Sequence, residues 1–240
     1  MSARSPILLV HGAWFRSWVW RSLRQSLEAA GHRVITPDLL CPADLNNGQA
    51  PVSLINHVDQ VVSCVEMFDL ENLTMVGWSY GGMVVSEAAS RLTENVSQLI
   101  FLDAFVPEAG KALADYLPVD AQRELSILKR LKRDIPIPDI HQRWNIEKTT
   151  SSEQWQQRLQ TQPINTFLEA ATSSLEDLDR LHRCYVRAKN NPEDIFTPFA
   201  DKLKVDDRWD VIETPTSHLL PLTDSKLLSK IIKQKLSLVN

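Results

Sequence analysis

A single serine stands in a segment suited to nucleophilic chemistry. Residues 77–81 read Gly-Trp-Ser-Tyr-Gly, which places Ser79 between two glycines. The apolar residues 73–76 before it predict a buried strand, and residues 83–92 after it predict a helix. A G-x-S-x-G motif between a strand and a helix is typical of a tight turn that lifts the serine hydroxyl above the end of a sheet. The sequence therefore predicts that Ser79 is a nucleophile.

A serine hydroxyl is weakly nucleophilic and needs a base within hydrogen-bond reach. The chain has six histidines, and His218 falls in a predicted loop between the last strand and the last helix. In the chain order serine, acid, histidine, this loop at the carboxyl edge of the sheet is the expected position of the base. We therefore expect His218 to take the proton of Ser79.

The carboxylate that orients His218 has three candidates. The loop after the predicted strand at residues 184–188 contains the adjacent acids Glu193 and Asp194. Asp194 is the preferred acid, because its short side chain limits strain in that turn, and Glu193 is the second choice. Asp103, which ends an earlier predicted strand, is the third.

Two backbone N–H groups are candidates for an oxyanion hole. Gly12 and Ala13 follow the first apolar run and His11, while Tyr80 follows the serine. We expect the N–H groups of Ala13 and Tyr80 to converge on the negative charge that develops when Ser79 attacks a carbonyl group. Tyr80 also stands at the start of a predicted helix, whose dipole favours negative charge. His11 is interpreted as a structural hydrogen-bonding residue and not as a catalyst.

The elements around these residues alternate between strand and helix. Short apolar runs predict six strands, at residues 7–10, 33–36, 73–76, 99–102, 184–188 and 210–213. The intervening helical patterns predict crossovers, hence an α/β fold with a mostly parallel six-stranded sheet and helices on both faces. Residues 1–240 are interpreted as one domain.

Between about residues 108 and 182 the pattern becomes polar and mostly helical, with four prolines. We interpret this segment as a helical lid inserted into the α/β domain. Its aromatic residues Trp144, Trp155 and Phe167 either cover an apolar pocket or form the core of the insertion.

The amino-acid composition indicates which binding partners and which cellular compartment are expected. The 240 residues include 26 Lys and Arg against 30 Asp and Glu, a net charge of −4 that argues against nucleic acid as a partner. The three cysteines contain no C-x-x-C pair, which predicts reduced thiols of a cytoplasmic protein and no zinc site. The N-terminal apolar run, residues 7–10, is shorter than a signal-peptide core and far below the ~20 residues of a membrane span. Neither secretion nor a membrane partner is expected.

The first half of the chain is similar to a known family. Residues 8–14 read Leu-Leu-Val-His-Gly-Ala-Trp, residues 76–83 read Val-Gly-Trp-Ser-Tyr-Gly-Gly-Met, and residues 101–107 read Phe-Leu-Asp-Ala-Phe-Val-Pro. These segments resemble the α/β-hydrolase superfamily and, within it, the small methylesterase/hydroxynitrile lyase-like family. The resemblance is strong over about residues 5–110, thin in the insertion and moderate from Tyr185 onward.

The resemblance implies an α/β-hydrolase fold and a serine hydrolase that cleaves small carboxylic esters through an acyl-enzyme, without a metal or other cofactor. Lyases of the family carry a threonine and a lysine where this chain has Gly12 and Leu219. Because an apolar Leu219 cannot stabilise departing cyanide, a hydroxynitrile lyase is disfavoured. A non-catalytic small-molecule receptor on the same fold, or a hydrolase of lactones or carbon–carbon bonds, remains an alternative. The expected binding partner is a small apolar ester substrate. Association into a homodimer is a further alternative.

Overall fold

A parallel β-sheet lies at the centre of the computed structural model, which describes residues 4–45, 50–175 and 180–237. Its strands are β1 (Ile7–Val10), β2 (Val34–Ile35), β3 (Leu73–Trp78), β4 (Val96–Leu102), β5 (His182–Ala188) and β6 (Trp209–Thr214). They lie in the order β2-β1-β3-β4-β5-β6, and every neighbouring pair is parallel. The predicted α/β class with a mostly parallel six-stranded sheet is confirmed.

Helices connect these strands and cover the sheet. The described residues form α1 (Arg21–Ala29), α2 (Leu54–Met67), α3 (Gly81–Arg91), α4 (Val119–Arg130), α5 (Ile140–Arg143), α6 (Thr150–Gln157), α7 (Asn165–Leu168), α8 (Thr197–Lys204), α9 (Leu220–Thr223) and α10 (Ser225–Leu236). Helix α1 packs against α10, and α2 packs against α3. The strand order shows that the chain moves across the sheet in one direction from β1 to β2 and in the other direction from β2 onward. Because parallel crossovers are right-handed, helices that follow opposite directions lie on opposite faces of the sheet. The pair α1 and α10 therefore covers one face, and the pair α2 and α3 covers the other.

The strands at the centre of the sheet are almost wholly buried, as the apolar runs predict. All residues of β1 and β3 are buried, which is typical of a parallel sheet covered on both faces. Strand β4 begins at Val96, three residues before the predicted start. The polar Gln98 interrupts the apolar pattern there, but its Oε1 accepts a hydrogen bond from Thr74 Oγ1 at 3.3 Å, so it is buried with a partner.

The segment between β4 and β5, residues 103–181, is called the insertion here, and its described part contains α4 to α7. The elements in this part are helices, as the sequence predicts, and loops make up the larger share of its described residues. Two isolated β-bridges tie distant parts of it together, Ala112 with Ala170 and Ile135 with Gln162. Its buried apolar side chains join the main core.

The register of the sheet brings the candidate residues to one edge. Trp78 at the end of β3 pairs with Leu102 at the end of β4, and Leu102 pairs with Val186 in β5. Ser79 and Asp103 are the residues that follow the first two strand ends. They therefore emerge side by side at the carboxyl edge, where open α/β sheets bind ligands.

Candidate active site

Ser79 lies in a sharp turn between β3 and α3. Its φ is 55°, a left-handed conformation that residues other than glycine rarely adopt. Gly81 lets the turn lie against β1, because a Cβ at this position would be only 2.5 Å from the carbonyl oxygen of Val10. At Gly77 a Cβ would be 2.7 Å from the carbonyl oxygen of Gly81. Both glycines of the motif are thus required by close backbone approaches, as the sequence predicts.

His218 lies in the loop after β6 and is 2% exposed. Its ring stacks on Phe196, with centroids 5.1 Å apart and 13° between the planes. Its carbonyl oxygen accepts a hydrogen bond from Nε1 of Trp78 at 2.9 Å, which ties this loop to the residue before the serine. The imidazole and the Ser79 side chain line the same cavity. The hydrogen bonds of the described residues do not include one between these two side chains, a contact that commonly tightens only when substrate binds.

Asp103 is the carboxylate that contacts His218. Its Oδ2 accepts hydrogen bonds from His218 Nδ1 and Asn191 Nδ2, each at 2.8 Å. Its Oδ1 accepts from Arg187 Nη1 at 2.6 Å and from the N–H of Ala188 at 3.1 Å. The side chain has no exposed surface. Because Nδ1 of His218 donates to Asp103, the Nε2 atom is left as the nitrogen that can accept a proton.

The expectation that Asp194 contacts His218 is wrong. The Asp194 side chain is 84% exposed, and its Oδ1 lies 4.0 Å from Nη2 of Arg187. Glu193 also points elsewhere, since its two oxygens accept from Arg143 Nε and Trp144 Nε1, each at 2.9 Å. Glu193 and Asp194 lie five and six residues beyond the end of β5, and neither is bonded to the imidazole. Asp103 comes directly after the neighbouring strand β4 and bonds to the imidazole.

The loop after β1 contains Ala13, whose backbone N–H is the first predicted oxyanion donor. The carbonyl oxygen of Gly12 accepts from His11 Nδ1 at 2.9 Å and from the N–H of Phe15 at 3.4 Å. In a trans peptide the N–H points opposite to the carbonyl group, so the Ala13 N–H faces away from these donors. Among the described hydrogen bonds, none gives the Ala13 N–H or the Tyr80 N–H an acceptor. Both residues line the cavity that contains the Ser79 side chain.

Two buried histidines support the residues beside the serine. His11 donates from Nδ1 to a carbonyl oxygen, so its Nε2 accepts the N–H of Leu39 at 3.1 Å. His57 donates from Nε2 to the carbonyl oxygen of Leu40, and its Nδ1 accepts the hydroxyl of Tyr80, both at 2.8 Å. Burial lowers the pKa of each histidine to about 4, so both are neutral at pH 7. Burial also raises the pKa of Tyr80 well above its usual value, which keeps its hydroxyl a donor. The structural role predicted for His11 agrees with these contacts.

The cavity at Ser79 is small and mostly apolar. Its volume is about 20 Å³, room for about one water molecule. Trp144 and Phe167 of the insertion line it, while Trp155, a further candidate, is not among the lining residues. The charged pair Arg143 and Glu193 lies at the same cavity. A substrate larger than water can therefore enter only when some of these side chains move.

Within residues 4–45, 50–175 and 180–237, no group of three or more His, Cys, Asp or Glu side chains is placed to hold a metal ion. In the same part of the chain, no helix combines the length and the apolar character needed to cross a bilayer.

Comparisons with known proteins cover most of the chain. A sequence profile described as an alpha/beta hydrolase family matches residues 7–229. A carbendazim hydrolyzing esterase from Nocardioides sp. (strain SG-4G) is 39% identical over 125 residues, which are 50% of this chain and 50% of that esterase. An alpha-hydroxynitrile lyase from Arabidopsis thaliana is 30% identical over 113 residues, 45% of this chain and 43% of the lyase. The chain spans about half the length of these curated relatives.

A solved structure agrees over a longer stretch. An extracellular alpha/beta-hydrolase from a Paenibacillus species has a TM-score of 0.80 with this chain, and the match covers 96% of this chain and 98% of that one. The two sequences are 19% identical, so the similarity concerns the fold alone.

Proposed function

Because this chain belongs to the alpha/beta hydrolase family, as its sequence predicts, we propose that it is a carboxylic ester hydrolase with Ser79 as the nucleophile. One observation carries the proposal: a serine in a left-handed turn shares a cavity with a histidine whose other nitrogen is bonded to a buried carboxylate. Relatives named as a carbendazim hydrolyzing esterase and as Methylesterase 8 of Arabidopsis thaliana support this choice of reaction.

The proposed reaction has two steps, each with the same proton carrier. His218 Nε2 takes the proton of the Ser79 hydroxyl while Oγ bonds to the ester carbonyl carbon, and the carbonyl electrons move to the oxygen. The N–H groups of Ala13 and Tyr80 hold this oxyanion, and the N-terminus of α3 adds a favourable dipole. His218 then protonates the leaving alcohol as its bond to carbon breaks. Water repeats the sequence on the acyl-enzyme and releases the acid.

Asp103 has the orienting role in this mechanism. Its bond to Nδ1 holds the imidazole in one tautomer and stabilises the imidazolium that forms when Ser79 loses its proton. The four donors on its two oxygens hold the carboxylate in one orientation. The proposed triad is therefore Ser79, His218 and Asp103.

The cavity supports a small apolar ester as the substrate. Aromatic and aliphatic side chains surround the serine, among them Phe105, Trp144 and Phe167 of the insertion and Phe196 of the loop after β5. The insertion would act as a lid, since its side chains must move for the acyl group to enter. Cyanohydrin cleavage is not supported, because the residue after His218 is the fully buried, apolar Leu219.

Release of p-nitrophenol from p-nitrophenyl acetate and butyrate tests the proposal. We expect hydrolysis by the wild type and a loss of about 1,000-fold or more in Ser79→Ala. An organophosphate should label Ser79 in the wild type. If neither ester is cleaved and Ser79 is not labelled, the chain is better explained as a non-catalytic small-molecule receptor.

A further inference from the structure

The insertion holds the loop that carries one proposed oxyanion donor. Trp14, the residue after Ala13, has a φ of 66°, which is unusual for a bulky aromatic residue. Both polar groups of its backbone bond to the insertion. Its N–H donates to Oε1 of Gln162 at 3.0 Å, and its carbonyl oxygen accepts the N–H of Gln160 at 2.9 Å. Because an unfavourable backbone conformation persists only where its surroundings fix it, these contacts help to hold the loop in place.

The side chain of Gln162 is itself held in one orientation. Its Nε2 donates to Oγ1 of Thr166 at 2.8 Å, and this hydroxyl donates to the carbonyl oxygen of Pro163 at 2.6 Å. With the amide nitrogen engaged by Thr166, the amide oxygen is the atom that faces the N–H of Trp14. Gln162 is 6% exposed, so water does not replace it readily as an acceptor.

The Ala13 N–H belongs to the Gly12–Ala13 peptide group, and both this group and the next one along the chain are held by hydrogen bonds. On one side the carbonyl oxygen of Gly12 accepts two hydrogen bonds, and on the other the N–H of Trp14 is bound by Gln162. We propose that Gln162 is a positioning residue for the oxyanion hole: by fixing the Ala13–Trp14 peptide it aims the Ala13 N–H at the charge that develops during attack by Ser79. This inference rests on the proposed esterase function.

The same part of the insertion also contacts the second donor residue. Phe167 packs edge-on against Trp14, with centroids 5.8 Å apart, and stacks on Tyr80, with centroids 6.0 Å apart and 23° between the planes. The segment that includes Gln162 and Phe167 thus touches the loop after β1 and the residue after the nucleophile. Its correct placement against the sheet edge and the formation of the oxyanion hole are therefore coupled.

Gln162→Met tests the inference, because methionine has a similar length but cannot accept the Trp14 N–H. We expect kcat for p-nitrophenyl butyrate to fall about tenfold or more, since a misdirected oxyanion donor weakens transition-state binding. KM should change by less than about twofold, because the oxyanion forms only after binding.

Gln156→Met is the matched control. Gln156 also lies in the insertion and also makes two hydrogen bonds, from the N–H of Ile140 and to the carbonyl oxygen of Pro138, but none to the loop after β1. Its substitution should lower the melting temperature to a similar extent while kcat falls less than about threefold. A parallel loss of kcat in both variants would reduce Gln162 to a residue that merely stabilises the insertion, and the inference would be overturned.

Binding of trifluoroacetophenone separates this inference from the esterase proposal. Ser79 Oγ adds to its carbonyl carbon, the carbonyl electrons form an oxyanion, and the serine proton passes to His218, with no leaving group. Gln162→Met should weaken this binding about as much as it lowers kcat, while binding of acetophenone stays within about twofold. Equal weakening for both ketones, or for neither, contradicts the inference.

The wild type supplies the remaining comparison. If it binds the fluorinated ketone more tightly than acetophenone but cleaves no ester, the esterase proposal fails, and the effect of Gln162→Met on ketone binding still decides the inference. If it shows no preference for the fluorinated ketone, there is no oxyanion hole to position and the inference fails, whatever the esterase assay shows.

Discussion

Arg187 and Asp103 form an ion pair inside the protein: Nη1 of the arginine lies 2.6 Å from Oδ1 of the aspartate, and their side chains are 7% and 0% exposed. The other carboxylate oxygen bonds to His218. The guanidinium therefore stands on the far side of Asp103 from the imidazole. Two charges of this kind are costly to bury, and the cost is offset only while both partners are present and hydrogen-bonded.

Arg187→Met should destabilise the fold strongly, because it leaves the Asp103 carboxylate buried without its cation. Removing one partner of a buried pair costs about 3–5 kcal/mol. Urea unfolding of the wild type and the variant measures this loss. Combining Arg187→Met with Asp103→Asn should cost less than the sum of the two single changes, since the double variant buries no unpaired charge. Strictly additive losses would show that the two side chains do not stabilise each other.

Asp103→Asn should lower kcat/KM for p-nitrophenyl butyrate by about 1,000- to 10,000-fold, because an amide cannot hold the histidine in the required tautomer. Asp194→Asn is the matched control. Its side chain is 84% exposed, and the variant should stay within about twofold of the wild type. Activity that survives in Asp103→Asn and is lost in Asp194→Asn would return the role of triad acid to Asp194.

The contrast between these two acids shows what a sequence can predict of such a site. The Ser79 turn could be predicted because its signals are local: an apolar run, two glycines and a helical pattern in sequence. The place of His218 followed from chain order. The choice of the acid depends on which strand end faces the imidazole, and only the assembled sheet determines that. One signal was available, since Arg187 is a charged residue in the apolar segment around β5 and so needed a buried anion.

The contact between Trp14 and Gln162 had no comparable signal. Trp14 and Gln162 are separated by 148 residues, and nothing in their local sequence links them. The apolar spacing of the insertion predicts helices. The insertion lacks the regular alternation of strands and helices that made the sheet predictable, and therefore its contacts with the loop after β1 could not be predicted. The predicted start of β4 lies three residues after the observed one for a related reason, because a buried polar residue such as Gln98 interrupts an apolar pattern.

Stability should decline as the pH falls from about 6.5 toward about 4. Burial lowers the pKa of His11 and His57 from 6.5 to about 4, so in this range the unfolded chain binds protons that the folded protein does not. The free energy of unfolding therefore falls on acidification, by about 1.4 kcal/mol per pH unit for each histidine. At pH 5 this amounts to about 2 kcal/mol each, and the loss levels off below about pH 4.

Urea unfolding between pH 7 and 5 measures this decline. His57→Gln should remove the share of one histidine, about 2 kcal/mol at pH 5, because glutamine can donate to the Leu40 carbonyl oxygen and accept the Tyr80 hydroxyl without gaining a charge. The same substitution at the exposed His182 controls for the loss of a histidine as such. A free energy of unfolding that is flat over this range, or equally steep in His57→Gln, would argue against buried neutral histidines at these positions.

Glu193 joins the two sides of the cavity, and its removal should ease entry of large esters. It lies in the loop after β5 and bonds to Arg143 and Trp144 of the insertion, and the cavity of about 20 Å³ at Ser79 has no room for an acyl chain. Glu193→Gln removes the charge and one acceptor. A half-buried ion pair is worth about 1 kcal/mol at most, so the open form should gain up to about fivefold in population.

The readout is the ratio of kcat/KM for p-nitrophenyl octanoate to that for p-nitrophenyl acetate. This ratio should rise about two- to fivefold in Glu193→Gln, because opening limits the longer ester more than the shorter one. Glu28→Gln is the matched control, since Glu28 pairs with Arg24 at 2.7 Å inside α1, outside the insertion, and is not among the residues lining the Ser79 cavity. If the ratio is unchanged, or if both variants raise it equally, Glu193 does not restrain the insertion, and the closed cavity must open through other contacts.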